Sequence, residues 1–78
     1  MSTTEIQKLR AALESALQIL EDEAETRLQA FSKGQWETDA EAIASMDPTD
    51  RLYCLPVLSA IEKARAALGL APYQAPVA

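Results

Sequence analysis

Residues 5–33 read EIQKLRAALESALQILEDEAETRLQAFSK, and their spacing decides the fold class. Apolar side chains recur at Ile6, Leu9, Leu13, Ala16, Leu17, Leu20, Ala24, Leu28 and Phe31. Steps of three and four residues put them on one stripe of an α-helix. The steps run 3-4-3-4 from Ile6 to Leu20 and then 4-4-3, so the heptad fails near Glu23 and Arg27 and no long coiled coil follows. Arg10 with Glu14, and Glu23 with Arg27, are i,i+4 pairs that support the helix by about 0.2–0.5 kcal/mol each. Ser2 with Glu5 and Thr4 with Gln7 both fit a capping box at its start. Lys33 is expected in the last turn, and Gly34 is expected to take the left-handed stop position. A helix over residues 5–33 spans roughly 43 Å at about 1.5 Å per residue.

Outward from this stretch the pattern stays helical. Thr38 and Glu41 form a further capping box ahead of Ala40, Ile43, Ala44 and Met46, which predicts a short helix over residues 39–46. Asp47-Pro48 ends it, because the residue before proline avoids the α region. Asp47 is also an expected N-cap for a third helix over residues 48–68, with Pro48 at its first position and Asp50 in its first turn. Its stripe is Leu52, Leu55, Leu58, Ile61, Ala64 and Leu68, widened by Val57, Ala60 and Ala67, and Gly69 and Pro72 mark its end. Pro56 interrupts that stripe. Either the helix kinks between Leu52 and Pro56 or a separate turn precedes a helix that starts at Pro56; Leu55 would be a poor cap, which favours the kink. Residues 70–78 carry no charged side chain and two prolines, and read as an extended or disordered tail after a single helical domain over residues 1–69.

The expected architecture is all-α: an antiparallel hairpin of the first and third helices, closed at one end by the short one. Seventy-eight residues give a marginal core. One cysteine, Cys54, cannot make an internal bridge, and there is no histidine. Association is the remaining stabilising device, so the surplus stripe of the long helix predicts a homodimer in the form of a four-helix bundle. The self-association residues are Leu13, Leu17, Leu20, Leu28 and Phe31.

Composition excludes several functions. Without histidine, without a Ser or Cys beside a plausible base and with two glycines only, the chain offers no catalytic constellation, cofactor cradle or metal set. The run Glu21-Asp22-Glu23-Glu25 is a solvated helix surface rather than a hard-cation site, which gathers its oxygen ligands on a loop of defined spacing. Cys54, between Tyr53 and Leu55, reads as an inert small hydrophobe. No apolar run reaches the roughly 20 residues that cross a bilayer, and no secretory signal pattern opens the chain, so a cytoplasmic setting is expected.

The net charge of −5 is unevenly spread: residues 1–20 balance, residues 21–50 carry −7 and residues 51–78 carry +2. An acidic pole of this kind argues against direct nucleic-acid binding, which needs Lys and Arg to replace phosphate counterions. It suits a protein partner with a basic surface. Glu21, Asp22, Glu25, Glu37, Asp39 and Glu41 are the candidate contact residues, together with Trp36 at the edge of the acidic stretch. Trp36 reads either as an interface anchor or as a cover for the end of a small core. Tyr73 and Val77 read either as docking residues of an extended segment or as plain tail.

The function expected from these residues is regulation or inhibition of a larger protein by stoichiometric contact. In size and charge the chain is similar to small phage-encoded inhibitors of host defence, some anti-CRISPR proteins among them. That likeness implies an acidic mimic of nucleic acid as an alternative, and it rests on no motif, so it assigns no residues. A structural subunit of a larger assembly is the third class.

Overall fold

The computed structural model describes residues 2–74. Three helices follow one another: α1 over Thr3–Phe31, α2 over Asp39–Ser45 and α3 over Pro48–Leu68. No strand occurs among the described residues. Helix α1 runs unbroken from its cap at Ser2, whose Oγ accepts the Glu5 N–H at 3.2 Å.

Helix α1 ends earlier than its sequence suggests. Ser32 turns extended after Phe31, so Lys33 lies outside the last turn. Gly34 does adopt a positive φ of 70°, but inside the connection rather than at the helix stop. The reason is tertiary. The Lys33 N–H donates to Ser45 Oγ at 2.8 Å, and the Trp36 indole N–H donates to Ser32 Oγ at 2.8 Å. These bonds draw the chain across the end of the bundle before another helical turn can form.

Helix α2 keeps the forward arm of its capping box, with Thr38 Oγ1 accepting from the Glu41 N–H at 3.2 Å, while Glu41 Oε2 accepts from the Glu37 N–H at 2.9 Å, one residue before the cap. Its carbonyl end is closed from α3. Arg51 donates through Nε to the Ile43 and Met46 carbonyls, and through Nη2 to the Ala44 carbonyl, all at 3.1 Å. Seven residues make a helix too short to persist alone, so this clasp holds it in place.

Helix α3 passes through Pro56 without a break. Cys54 and Val57 on either side are both buried, and they pin the helix across the proline. Pro56 and Leu52, whose carbonyl loses its helical donor, both lie on the exposed side. The Asp47 side chain makes no capping bond; its carboxylate takes the Lys33 ammonium at 2.8 Å instead. At the other end Gly69 is left-handed (φ 73°), with its N–H on the Ala66 carbonyl and the Leu70 N–H on the Arg65 carbonyl. That pair of bonds is a Schellman motif.

The hairpin is antiparallel. Going up α1, Arg10 reaches the Leu68 carbonyl, Glu21 pairs with Arg65 and Arg27 reaches the Tyr53 carbonyl. Two apolar clusters fill it. Leu17, Ala24, Val57, Ile61, Ala64 and Leu68 form the one between the long helices. Leu28, Trp36, Ala42, Met46 and Cys54 form the one beneath α2. Leu58 and Tyr73 pack against both and join them. Residues 70–74 run without helical structure back along the hairpin, held by the Arg65 guanidinium on the Ala71 carbonyl and by the Tyr73 N–H on Glu62 Oε1. Residues 75–78, Val77 included, lie outside the described part of the chain.

Helix α1 has 29 residues and α3 has 21, a difference of roughly 12 Å in length. Because Arg10 already meets the last carbonyl of α3, the first turns of α1 project beyond it.

Candidate interaction surface

Two flanks of the hairpin differ in character. One carries α2, the residue 70–74 segment and several of the acids. Burial raises the Tyr73 phenol pKa to about 12, and the charges of Asp39, Glu21 and Glu25 add to the effect. Asp39 from α2 and Glu21 and Glu25 from α1 therefore stand close enough to act on one hydroxyl. That hydroxyl is buried and has no hydrogen-bond partner among the described residues. Glu21 is not an open charge, since Arg65 pairs with it and both side chains are about one-fifth exposed.

The other sequence-nominated acids do not join this group. Asp22 is exposed and accepts from Gln18 Nε2 at 3.0 Å. Glu37 is exposed beside α2, and Glu41 accepts its N–H. Trp36 is only 2% exposed. It closes the end of the core and offers a partner no surface in this conformation.

Beside the acids an apolar groove opens between α2 and α3. Ala40, Ile43, Ala44, Leu55 and Leu58 line it, and Asp39 and Arg51 stand at its rim. Leu55 is 46% exposed there, and Leu52, outside the groove, is 74% exposed. The sequence stripe for α3 counted both leucines as core, and one signal could have separated them. Taken with Tyr53, Cys54, Val57 and Ile61, the apolar residues of 52–61 go round more than half the helix, so some had to face out.

Tyr53 holds the junction of the long helices. Its ring meets Phe31 edge-on, with centroids 5.6 Å apart and planes at 84°. The Arg27 guanidinium lies 4.1 Å from the ring centre on its face. Arg27 also pairs with Glu23 at 2.8 Å, and that hydrogen bond is the main cause of its raised pKa. Cys54 is 1% exposed, and burial pushes its thiol pKa up. It stays a protonated core atom.

The self-association residues divide. Leu17 and Leu28 are buried within the single chain. Leu13, Leu20 and Phe31 are half-buried at the edges of the clusters. Ile6, Leu9 and Ile19, which the sequence list did not include, are 53%, 57% and 70% exposed. No group of three or more metal-ligating side chains occurs among the described residues, and no helix is long and apolar enough to cross a membrane. Comparison with protein-family models, with curated proteins and with solved structures finds no match for this chain.

Proposed function

We propose that this chain is a non-catalytic binding protein that regulates or inhibits a larger protein by stoichiometric contact. The observation that carries the reading is the position of Asp39. It stands at the rim of the apolar groove between α2 and α3 and also acts on the Tyr73 hydroxyl together with Glu21 and Glu25. An apolar floor beside the carboxylates of Asp39 and Glu25, with Glu21 already paired to Arg65, suits an amphipathic partner segment with a basic edge: the floor supplies affinity, and the charges speed encounter. Self-association through α1 is part of the same proposal and leaves this groove open.

Ion pairing favours this reading over an acidic nucleic-acid mimic. Glu14, Glu21, Glu23 and Asp47 are each neutralised by an Arg or Lys of the chain itself. A backbone mimic needs unneutralised carboxylates at regular intervals along one face.

The test is affinity capture from the native host with three baits: the unaltered chain, Leu55→Asp and Glu25→Lys. A protein retained by the first in near one-to-one amount and lost by the other two supports the proposal. Equal retention by all three, or retention that ignores salt, overturns the assigned surface.

A further inference from the structure

Helix α1 carries two apolar seams, and the hairpin uses only one. Leu17, Ala24 and Leu28 face α3 and are buried. Ile6, Leu9, Leu13, Ala16 and Leu20 follow the 3-4-3-4 heptad spacing on the neighbouring face, which the hairpin covers only in part, at Leu13 and Leu20. Leu13 and Leu20 are half-buried, Ala16 is exposed, and Ile6 and Leu9 are more than half exposed. Ile19, 70% exposed, flanks this seam on the side away from α3.

We infer that this second seam binds its own copy on a second chain, antiparallel about a two-fold axis near Leu13–Ala16. The inference rests on the self-association stated above and gives it a surface and a register. Charge chooses the direction. The heptad positions after Leu20 are occupied by Glu23 and Arg27. A parallel pair would stack Glu23 on Glu23 and Arg27 on Arg27 at the seam itself, which like charges oppose. An antiparallel pair separates the like charges: Glu23 then meets Ile6 at each end of the seam, and Arg27, which keeps its own pairing with Glu23 and its place on Tyr53, has Glu5 of the second chain within a turn, twice by symmetry.

Shape agrees with that register. In an antiparallel pair the residues that meet have numbers adding to a constant, here 29 along the seam. Leu9 then meets Leu20 of the second chain, and Leu13 meets Ala16. On the flank, where the constant is 31, Ile19 meets Ala12. In two of these layers a large side chain faces a small one, which is how interdigitated helix contacts fill space, and the outermost layer sets Ile6 against the aliphatic part of Glu23. The contact extends over about four turns of one helix per chain, below the roughly 800 Å² per partner of a standard interface, so an affinity of about micromolar order is expected.

The experiment uses the purified chain alone, with no partner protein, so its failure is separable from failure of the groove proposal. Sedimentation equilibrium should show reversible dimerisation of the 8.5 kDa chain. Leu9→Glu should weaken it by about a hundredfold, because it seats a charge on Leu20. Leu9 is more than half exposed in one chain, so the helical circular dichroism should be unchanged. Ala12→Ile and Ile19→Ala should each weaken the dimer by about tenfold, and the double swap should recover most of the loss. A monomer at about 100 μM overturns the dimer itself, since an interface of micromolar order would be populated there. A dimer in which the two single changes simply add overturns the antiparallel register.

Discussion

Tyr73 supports a prediction whose two halves have opposite signs. Its ring joins the two apolar clusters, and its hydroxyl is buried without a hydrogen-bond partner among the described residues. Leaving a buried hydroxyl unsatisfied costs about 1–3 kcal/mol. Tyr73→Phe keeps the ring and removes that cost, so it should stabilise the chain by about 1 kcal/mol. Tyr73→Ala removes the ring as well. A fully buried aromatic loses about 3–5 kcal/mol on truncation, and a half-buried one about half of that; with the relief of about 1 kcal/mol from the hydroxyl set against it, a net loss of about 1 kcal/mol is expected. For a domain of this size each kcal/mol moves Tm by about 4–8 °C. Trp36, the single tryptophan, reports from the second cluster, so its fluorescence in urea follows unfolding directly. Protein concentration must be held fixed across variants, because the proposed self-association would add to stability by mass action.

The pH dependence follows from the same group. A phenol raised from 10 to about 12 in the folded chain ionises first in the unfolded chain. Its contribution is fully present below pH 10 and is lost as pH rises from 10 to about 12. The unaltered chain should therefore lose more stability over that interval than Tyr73→Phe does. If Tyr73→Phe is destabilising, or if both chains fall alike with pH, the hydroxyl has a partner after all and the reasoning fails.

Three further outcomes follow from the geometry. Gly69→Ala forces a side chain into the left-handed stop of α3 and should cost about 1 kcal/mol by urea titration, although nothing lies within 4 Å of the added carbon. Native Cys54 should resist a thiol reagent at neutral pH and react only as fast as the chain opens, since burial shields it and raises its pKa; immediate labelling would contradict its place in the core. Asp47, its pKa lowered chiefly by the hydrogen bond from Lys33, contributes stability above the ordinary carboxylate pKa and loses it as pH falls through the lowered folded value, so Asp47→Asn should flatten the acid limb of the stability curve.

Much of the helical plan was legible because it is local chemistry. Thr38 with Glu41, Pro48, Gly69 and the spacing of apolar residues each act within one or two turns, and the helices begin and end close to where those signals put them. The exceptions are places where a distant side chain outcompeted a local one. Lys33 took the Asp47 carboxylate, and Ser45 took the Lys33 N–H, so neither the cap nor the stop formed as the local pattern implies. Arg51 carried no sequence signal as the clasp of α2, because its three carbonyl partners come into reach only when α2 packs on α3.

By itself, then, the order of residues determined an all-helical chain, its caps, its uneven charge and a first helix longer than the third, since each of these depends on neighbours a few positions apart. Only tertiary structure decided which seam of α1 meets α3, that Trp36 turns inward, that Tyr73 bridges both clusters and that Leu52 and Leu55 face out. A helix with apolar residues on more than one face can bury any of them. The choice falls to whichever rotation lets Leu17 and Ala24 fit against Val57, Ile61 and Ala64, and Leu28 against Cys54 and Trp36, while Arg27 and Arg65 reach their partners on the opposite elements.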